Sequence, residues 1–199
     1  MKILLVGASG TIGKEVSVSL SQNHTVISAN YSAGDVQVDL SQPESIKAMF
    51  DKVGPVDAII STAGLASFGA YKELTDADYT LAFNNKLMGQ INLIRLGQDQ
   101  VTPGGSITLT SGILSRQPMP GSAVISMANG ALESYVKAIA LETESLRVNV
   151  VAPAFVKETL AMMEMDTGAG LSAADTAKAY VAAVLGEMNG VTLDAPEFA

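Results

Sequence analysis

Two spacings of apolar residues alternate along the 199-residue chain. Short runs of β-branched or apolar side chains fall at 2–6 (KILLV), 25–28 (TVIS), 36–38 (VQV), 57–61 (DAIIS), 106–110 (SITLT), 147–151 (RVNVV) and 190–193 (GVTL). Between them, segments 11–21, 43–53, 75–101, 122–145 and 172–188 repeat apolar positions at helical spacing. Strands alternating with helices of this length predict right-handed βαβ crossovers and a parallel sheet. The unbroken apolar character of KILLV and DAIIS suits strands covered on both sides. The expected fold class is therefore α/β: a doubly wound, seven-stranded parallel sheet with helices on both faces, three layers deep. Thr75 followed by Asp78 reads as a capping pair, and Pro43 as a first-turn residue of its helix. No repeat or linker interrupts the pattern, so residues 1–199 are expected to form a single domain. Segment 154–171 (AFVKETLAMMEMDTGAGL) is mixed in character, and we expect a mobile flap there, between the sixth strand and the last helix.

Composition narrows the function classes. A hydrophobic content of 48% against 16% charge fits a sheet buried on both faces. At this length ~70% of the unfolded surface can be buried, so the core needs no disulfide or metal. The chain has no cysteine, which removes disulfides, thiolate nucleophiles and cysteine-based metal sites, and no His/Asp/Glu group has metal-ligand spacing. A net charge of −8 argues against nucleic acid, whose phosphates need a basic face. The apolar run ILLV is too short for a signal-peptide core, and nothing approaches the ~20 apolar residues of a membrane span. A cytoplasmic protein with no membrane partner is expected.

The first strand runs into GASGTIG (7–13) and then directly into a helix. In that context Gly7 permits the tight turn, Gly10 lets a pyrophosphate approach the backbone, and Gly13 lets helix and strand pack closely. The N–H groups of Thr11, Ile12 and Gly13 at the helix mouth would face the phosphates. This is the pattern of a dinucleotide site in a Rossmann-type sheet. An acid ending the second strand would bind the adenosine ribose hydroxyl of NAD. Here that strand ends SANYS (28–32), where Ser9, Asn30 and Ser32 can donate to a 2′-phosphate, and Asp35 reads as a loop residue beyond Gly34. NADP(H) is therefore favoured over NAD(H), modestly, because no arginine is well placed.

With these landmarks the chain resembles the short-chain dehydrogenase/reductase family from residue 2 to about 194. VGASGTIG is similar to the family's TGxxxGxG with its middle glycine shifted by one. Asp39, followed by Leu40, stands where the family has an aspartate near the adenine, and STAG (61–64) where it has NNAG, so the resemblance puts Ala63 and Gly64 behind the adenine ribose. RVNVVAPAF (147–155) is similar to RVNxVxPG, which implies cofactor contacts for Pro153 and Val156, with Thr159 at the nicotinamide carboxamide. The resemblance further implies hydride transfer between nicotinamide and a carbonyl, and a homodimer or homotetramer built on segments 75–101 and 122–145. Leu87, Ile91, Ile94, Val136 and Ile139 suit that contact and suit packing on the sheet equally.

The resemblance also locates four departures. The family's tyrosine falls on Ile125, its lysine on Asn129, its serine on Gly112 beside Ser111, and its asparagine on Lys86. A proton-donating phenol is thus replaced by a side chain that cannot exchange a proton. Lysine and asparagine look exchanged between two facing helices, which would keep an ammonium and an amide in one cleft; the bland alternative is that Lys86 is a solvated surface residue. Candidate catalytic residues are Lys86, Ser111 and Asn129, with Lys86 also a candidate for the nicotinamide ribose. Ser111 has no base in sight along the sequence. His24 reads as a surface residue away from the cleft, Asp57 as structural, and Glu158, Glu164 and Asp166 as a solvated face. Met162, Met163 and Met165 suit either a substrate lid or helical packing. Two function readings follow: an oxidoreductase with a non-standard proton donor and an unknown small-molecule substrate, or an NADP(H)-binding regulatory protein without turnover.

Overall fold

A computed structural model describes residues 1–199. Its strands are β1 (Lys2–Val6), β2 (Thr25–Asn30), β3 (Val36–Gln37), β4 (Val56–Ser61), β5 (Val101–Thr110), β6 (Arg147–Ala152) and β7 (Thr192–Asp194). They form one parallel sheet in the order β3-β2-β1-β4-β5-β6-β7. The helices are α1 (Thr11–Ser21), α2 (Pro43–Val53), α3 (Asp76–Leu81), α4 (Met88–Gly97), α5 (Ala123–Ile139), α6 (Lys157–Met162) and α7 (Ala173–Leu185). The seven-stranded, three-layer α/β expectation holds. No helix is long and apolar enough to cross a membrane.

Strand periodicity divides the core. Leu4, Val6, Ile59, Ile107 and Leu109 point to the face covered by α2, α4 and α5. Ile3, Leu5, Ala58 and Ile60 point to the face covered by α1 and α7. The order reverses between β1 and β4, and the glycine turn opens at that switch point, where ligands bind in doubly wound sheets.

Local chemistry explains the boundaries. Thr75 and Asp78 form a capping box, and Pro43 opens α2. The helix expected at 75–101 is instead three pieces: α3, a π-helical stretch at Ala82–Leu87, and α4, with a 3₁₀ turn at Gln98–Gln100. β5 starts at Val101 rather than 106, because Val101 already pairs with Val56; residues 102–105 then have no β4 partner, at a register shift before Ser106 meets Ala58. α5 stops at Ile139, short of 145, and Leu141 beyond it is exposed. Leu87, Ile91, Ile94 and Val136 are core residues, and Ile139 packs against them. Within the expected flap, Val156 and Leu171 form a parallel bridge, α6 lies between them, and the Glu158 carboxylate accepts from Ala173 N at the start of α7, 2.9 Å away.

Candidate active site

The glycine turn is shaped by contacts that exclude a Cβ. One on Gly13 would stand 2.0 Å from the Gly7 carbonyl oxygen, and one on Gly7 (φ +86°) 2.9 Å from Ala63. Gly10 precedes α1 in extended conformation, no side chain caps the helix, and its first turn carries no acid. Uncapped helix N–H groups beside a cleft, with no acid in the first turn, fit a pyrophosphate. Thr62 locks the turn by donating its hydroxyl to the carbonyls of Val6 and Gly7.

In front of this turn lies a cleft of about 550 Å³. Eight expected residues line it: Gly7, Ser9, Gly10, Asn30, Asp39, Leu40, Ala63 and Gly64. Asn30 Oδ1 accepts from Ser9 N at 2.8 Å, tying the glycine turn to the end of β2. Thr11, Ile12 and Gly13 sit behind the lining in the first turn of α1. Ser32 does not line the cleft; it is exposed, and its carbonyl accepts from Gln37 Nε2, so the donor expected from it is replaced in the lining by Tyr31. Pro153, Val156 and Thr159 also lie outside the lining, on the β6–α7 connection, where the Pro153 carbonyl accepts from Ile113 N. Pattern reading missed Asn85, whose Oδ1 accepts from Leu65 N at 2.8 Å and whose Nδ2 donates to Ser41 Oγ at 2.9 Å.

Beyond Gly64 the three catalytic candidates are deeply buried: Lys86 is 6% exposed, Ser111 4% and Asn129 1%. Lys86 is therefore not a solvated surface lysine. The π-helical stretch turns the adjacent Asn85 and Lys86 both inward, and such widened turns recur at functional sites. Lys86 Nζ donates to the carbonyls of Ser111 (3.3 Å) and Thr110 (3.5 Å) and joins none of the chain's ion pairs. Burial pulls its pKa down from the ordinary 10.5 to about 8. Gln90, one turn on, fixes the strand end that carries those carbonyls, accepting from Thr110 N and donating to Thr110 O, both at 2.8 Å.

Ser111 does have an acidic partner, contrary to expectation. Its hydroxyl donates to Glu133 Oε1 at 3.0 Å; Ser115 donates to the same oxygen at 2.7 Å, and Arg116 Nε pairs with Oε2 at 3.3 Å. Arg116 continues to Asp194 beside the last strand. Glu133 lies eight residues after Ile125 and four after Asn129, so helical spacing on α5 was the available signal. Asn129 Oδ1 has no partner. Tyr180 is no substitute for the missing phenol: it is buried in the layer of α1 and α7, hydrogen-bonded to Thr110 Oγ1 at 2.6 Å, and burial pushes its pKa well up. Asp57, holding Lys2 N and Thr102 Oγ1, is structural as expected. No group of three His, Cys, Asp or Glu side chains is placed to hold a metal.

The family model described as enoyl-(acyl carrier protein) reductase matches residues 12–190. Among solved structures, protein lin1944 of Listeria innocua is 40% identical with a TM-score of 0.94 over 98% of both chains. A small-chain dehydrogenase in complex with NADPH is 29% identical, TM-score 0.87, over 98% of this chain and 95% of that one. A versicolorin reductase of Emericella nidulans is 28% identical over 77% of this chain and 68% of its own length. The chain belongs to the short-chain dehydrogenase/reductase family of oxidoreductases, whose members bind a nicotinamide dinucleotide.

Proposed function

We propose that the chain is an NADP(H)-dependent reductase in which Lys86 replaces the tyrosine as the group that stabilises and protonates the reacting oxygen. The observation that carries this reading is a buried ammonium, free of any ion pair, with its pKa brought to about 8. A general acid works best when its pKa lies near the operating pH. Bound NADPH would supply a hydride. The glycine turn and the N-terminus of α1 would hold its phosphates, Asn30 with Ser9 and Tyr31 its adenosine end, and Lys86 with Asn129 its nicotinamide side. The Ser111 hydroxyl is turned to Glu133, so it leaves protonation to Lys86 and instead supports the carbonyls that hold the ammonium.

A carbon–carbon double bond conjugated to a carbonyl is the favoured substrate class, because hydride delivery to the alkene leaves an enolate that one ammonium can stabilise. The enoyl-reductase description of the matching family supports this choice, and the neighbour with bound NADPH supports the phosphate-bearing cofactor. Self-association on the α4–α5 side stays within the proposal, although the apolar positions expected to mediate it are used by the core; sedimentation of the purified chain tests it. The reading is tested by titrating NADPH and NADH by fluorescence, then screening enones, ketones and aldehydes for NADPH consumption. Micromolar NADPH binding with enone turnover supports the reductase. Binding without turnover across the screen leaves the regulatory, cofactor-sensing reading in its place.

A further inference from the structure

Resting on the cofactor reading above, we propose that Ser28 latches the Asp35 carboxylate away from the adenosine end of the cleft, and that this latch sets discrimination between NADP(H) and NAD(H). After Asn30 the chain turns and folds back over β2 through Gly34 (φ +101°), where a Cβ would stand 2.9 Å from the Ser28 carbonyl oxygen and 2.7 Å from Asn30 Nδ2. Only glycine permits so close a return. The return carries Asp35 to Ser28. Its Oδ2 accepts from Ser28 N at 2.8 Å and from Ser28 Oγ at 2.7 Å, and Asp35 N donates back to Ser28 Oγ at 3.0 Å. Lys52 Nζ holds the Asp35 carbonyl from the far side at 3.2 Å.

Two separate hollows record the outcome. Asn30 and Tyr31 line the 550 Å³ cleft, whereas Asp35 lines a 390 Å³ hollow with Gln37, Ser45 and Lys52. The Ser28 amide and hydroxyl hold the Asp35 carboxyl below its usual range while the contact lasts, and an ordinary aspartate released from it is still ionised at neutral pH. A carboxylate beside the ribose selects NAD and repels a 2′-phosphate. No arginine reaches out from residues 28–37 to attract that phosphate, so acceptance of NADP(H) comes from removing a repulsion.

Calorimetric titration of wild type, Ser28→Ala, Asp35→Asn and the double variant with NADPH and NADH tests the latch. Ser28→Ala removes two of the three hydrogen bonds and is expected to weaken NADPH about five- to tenfold while changing NADH less than about twofold, an effect that shrinks at high salt. Asp35→Asn alone leaves NADPH within about twofold, and the double variant returns NADPH to that range because the freed side chain is neutral. An unchanged NADPH-to-NADH ratio in Ser28→Ala overturns the latch. So does a double variant as weak as Ser28→Ala, which would mean collapse of the loop rather than a released charge. A wild-type chain that binds neither dinucleotide overturns the cofactor reading and the latch with it; a wild type that binds while Ser28→Ala stays flat overturns the latch alone.

Discussion

Gly112 packs directly against the Asn129 side chain: a Cβ on Gly112 would stand 2.9 Å from Asn129 Nδ2, so the amide would have to move. Glycine at 112 and asparagine at 129 suit each other, because the asparagine amide fills volume that a serine side chain at 112 would need. Gly112→Ser is expected to destabilise the chain by about 1–3 kcal/mol through overpacking. Combined with Asn129→Ala, the same change should cost less than the sum of the single effects, since the clash is gone. Urea unfolding of the four proteins gives the cycle, and additivity would separate the two positions.

Lys86 carries a stability cost that pH reveals. Its pKa is about 8 in the folded chain against 10.5 in the unfolded one, so between those values the unfolded chain binds more protons and stability rises with pH. Below pH 8 the cost is fully present, on the order of 3 kcal/mol from the size of the gap; above 10.5 it vanishes. Lys86→Met keeps the volume and removes the buried charge. It is expected to raise Tm by about 5–10 °C at pH 7 and to converge with wild type as pH passes 10.5. A variant less stable than wild type at pH 7 would mean that the two carbonyl contacts outweigh desolvation.

The same lysine sets a pH profile for turnover. Reduction needs the ammonium form, so the rate with NADPH and an enone should be flat below about pH 8 and fall about tenfold per unit above it. Lys86→Met should lower the rate by about 10²–10⁴-fold and remove the alkaline limb while leaving NADPH affinity within tenfold. Stopped-flow rates across pH 6–10 would measure both.

What the sequence made legible follows from which forces are local. β1, the glycine turn and α1 are written in contiguous residues, and so were read correctly to the residue. The lining residues Asn30, Asp39 and Gly64 follow strand ends and were equally accessible. The π-helical stretch at 82–87 was not, since its widened turn comes from tertiary demands on Asn85 and Lys86 that no local propensity encodes. The early start of β5 is hidden because only Val101 pairs with β4 ahead of the register shift, and residues 102–105, with no β4 partner, break the strand pattern before Ser106. Glu133 was passed over because a glutamate in a helix is ordinarily solvated; only the approach of Ser111 and Ser115 from another element makes it buried.

Glu133 supplies the test that separates support from chemistry. Glu133→Ala removes the shared acceptor of Ser111 and Ser115 and one partner of Arg116. The serines retain second acceptors, Val151 O at 3.4 Å and Gly112 O at 3.0 Å, and Arg116 is 42% exposed and keeps Asp194. The loss should therefore be moderate, about 2 kcal/mol, rather than the larger figure for a buried charge stripped of its only partner. Glu133→Gln keeps an acceptor and should lose about half of that. Because burial alone lowers the Lys86 pKa, neither variant should move the alkaline limb of the turnover profile, although both loosen the loop that presents the Thr110 and Ser111 carbonyls and so lower kcat several-fold. If Glu133→Gln instead moves the midpoint by a full pH unit, the carboxylate couples to the ammonium directly, and Glu133 belongs to the proton-transfer chemistry rather than to its scaffold.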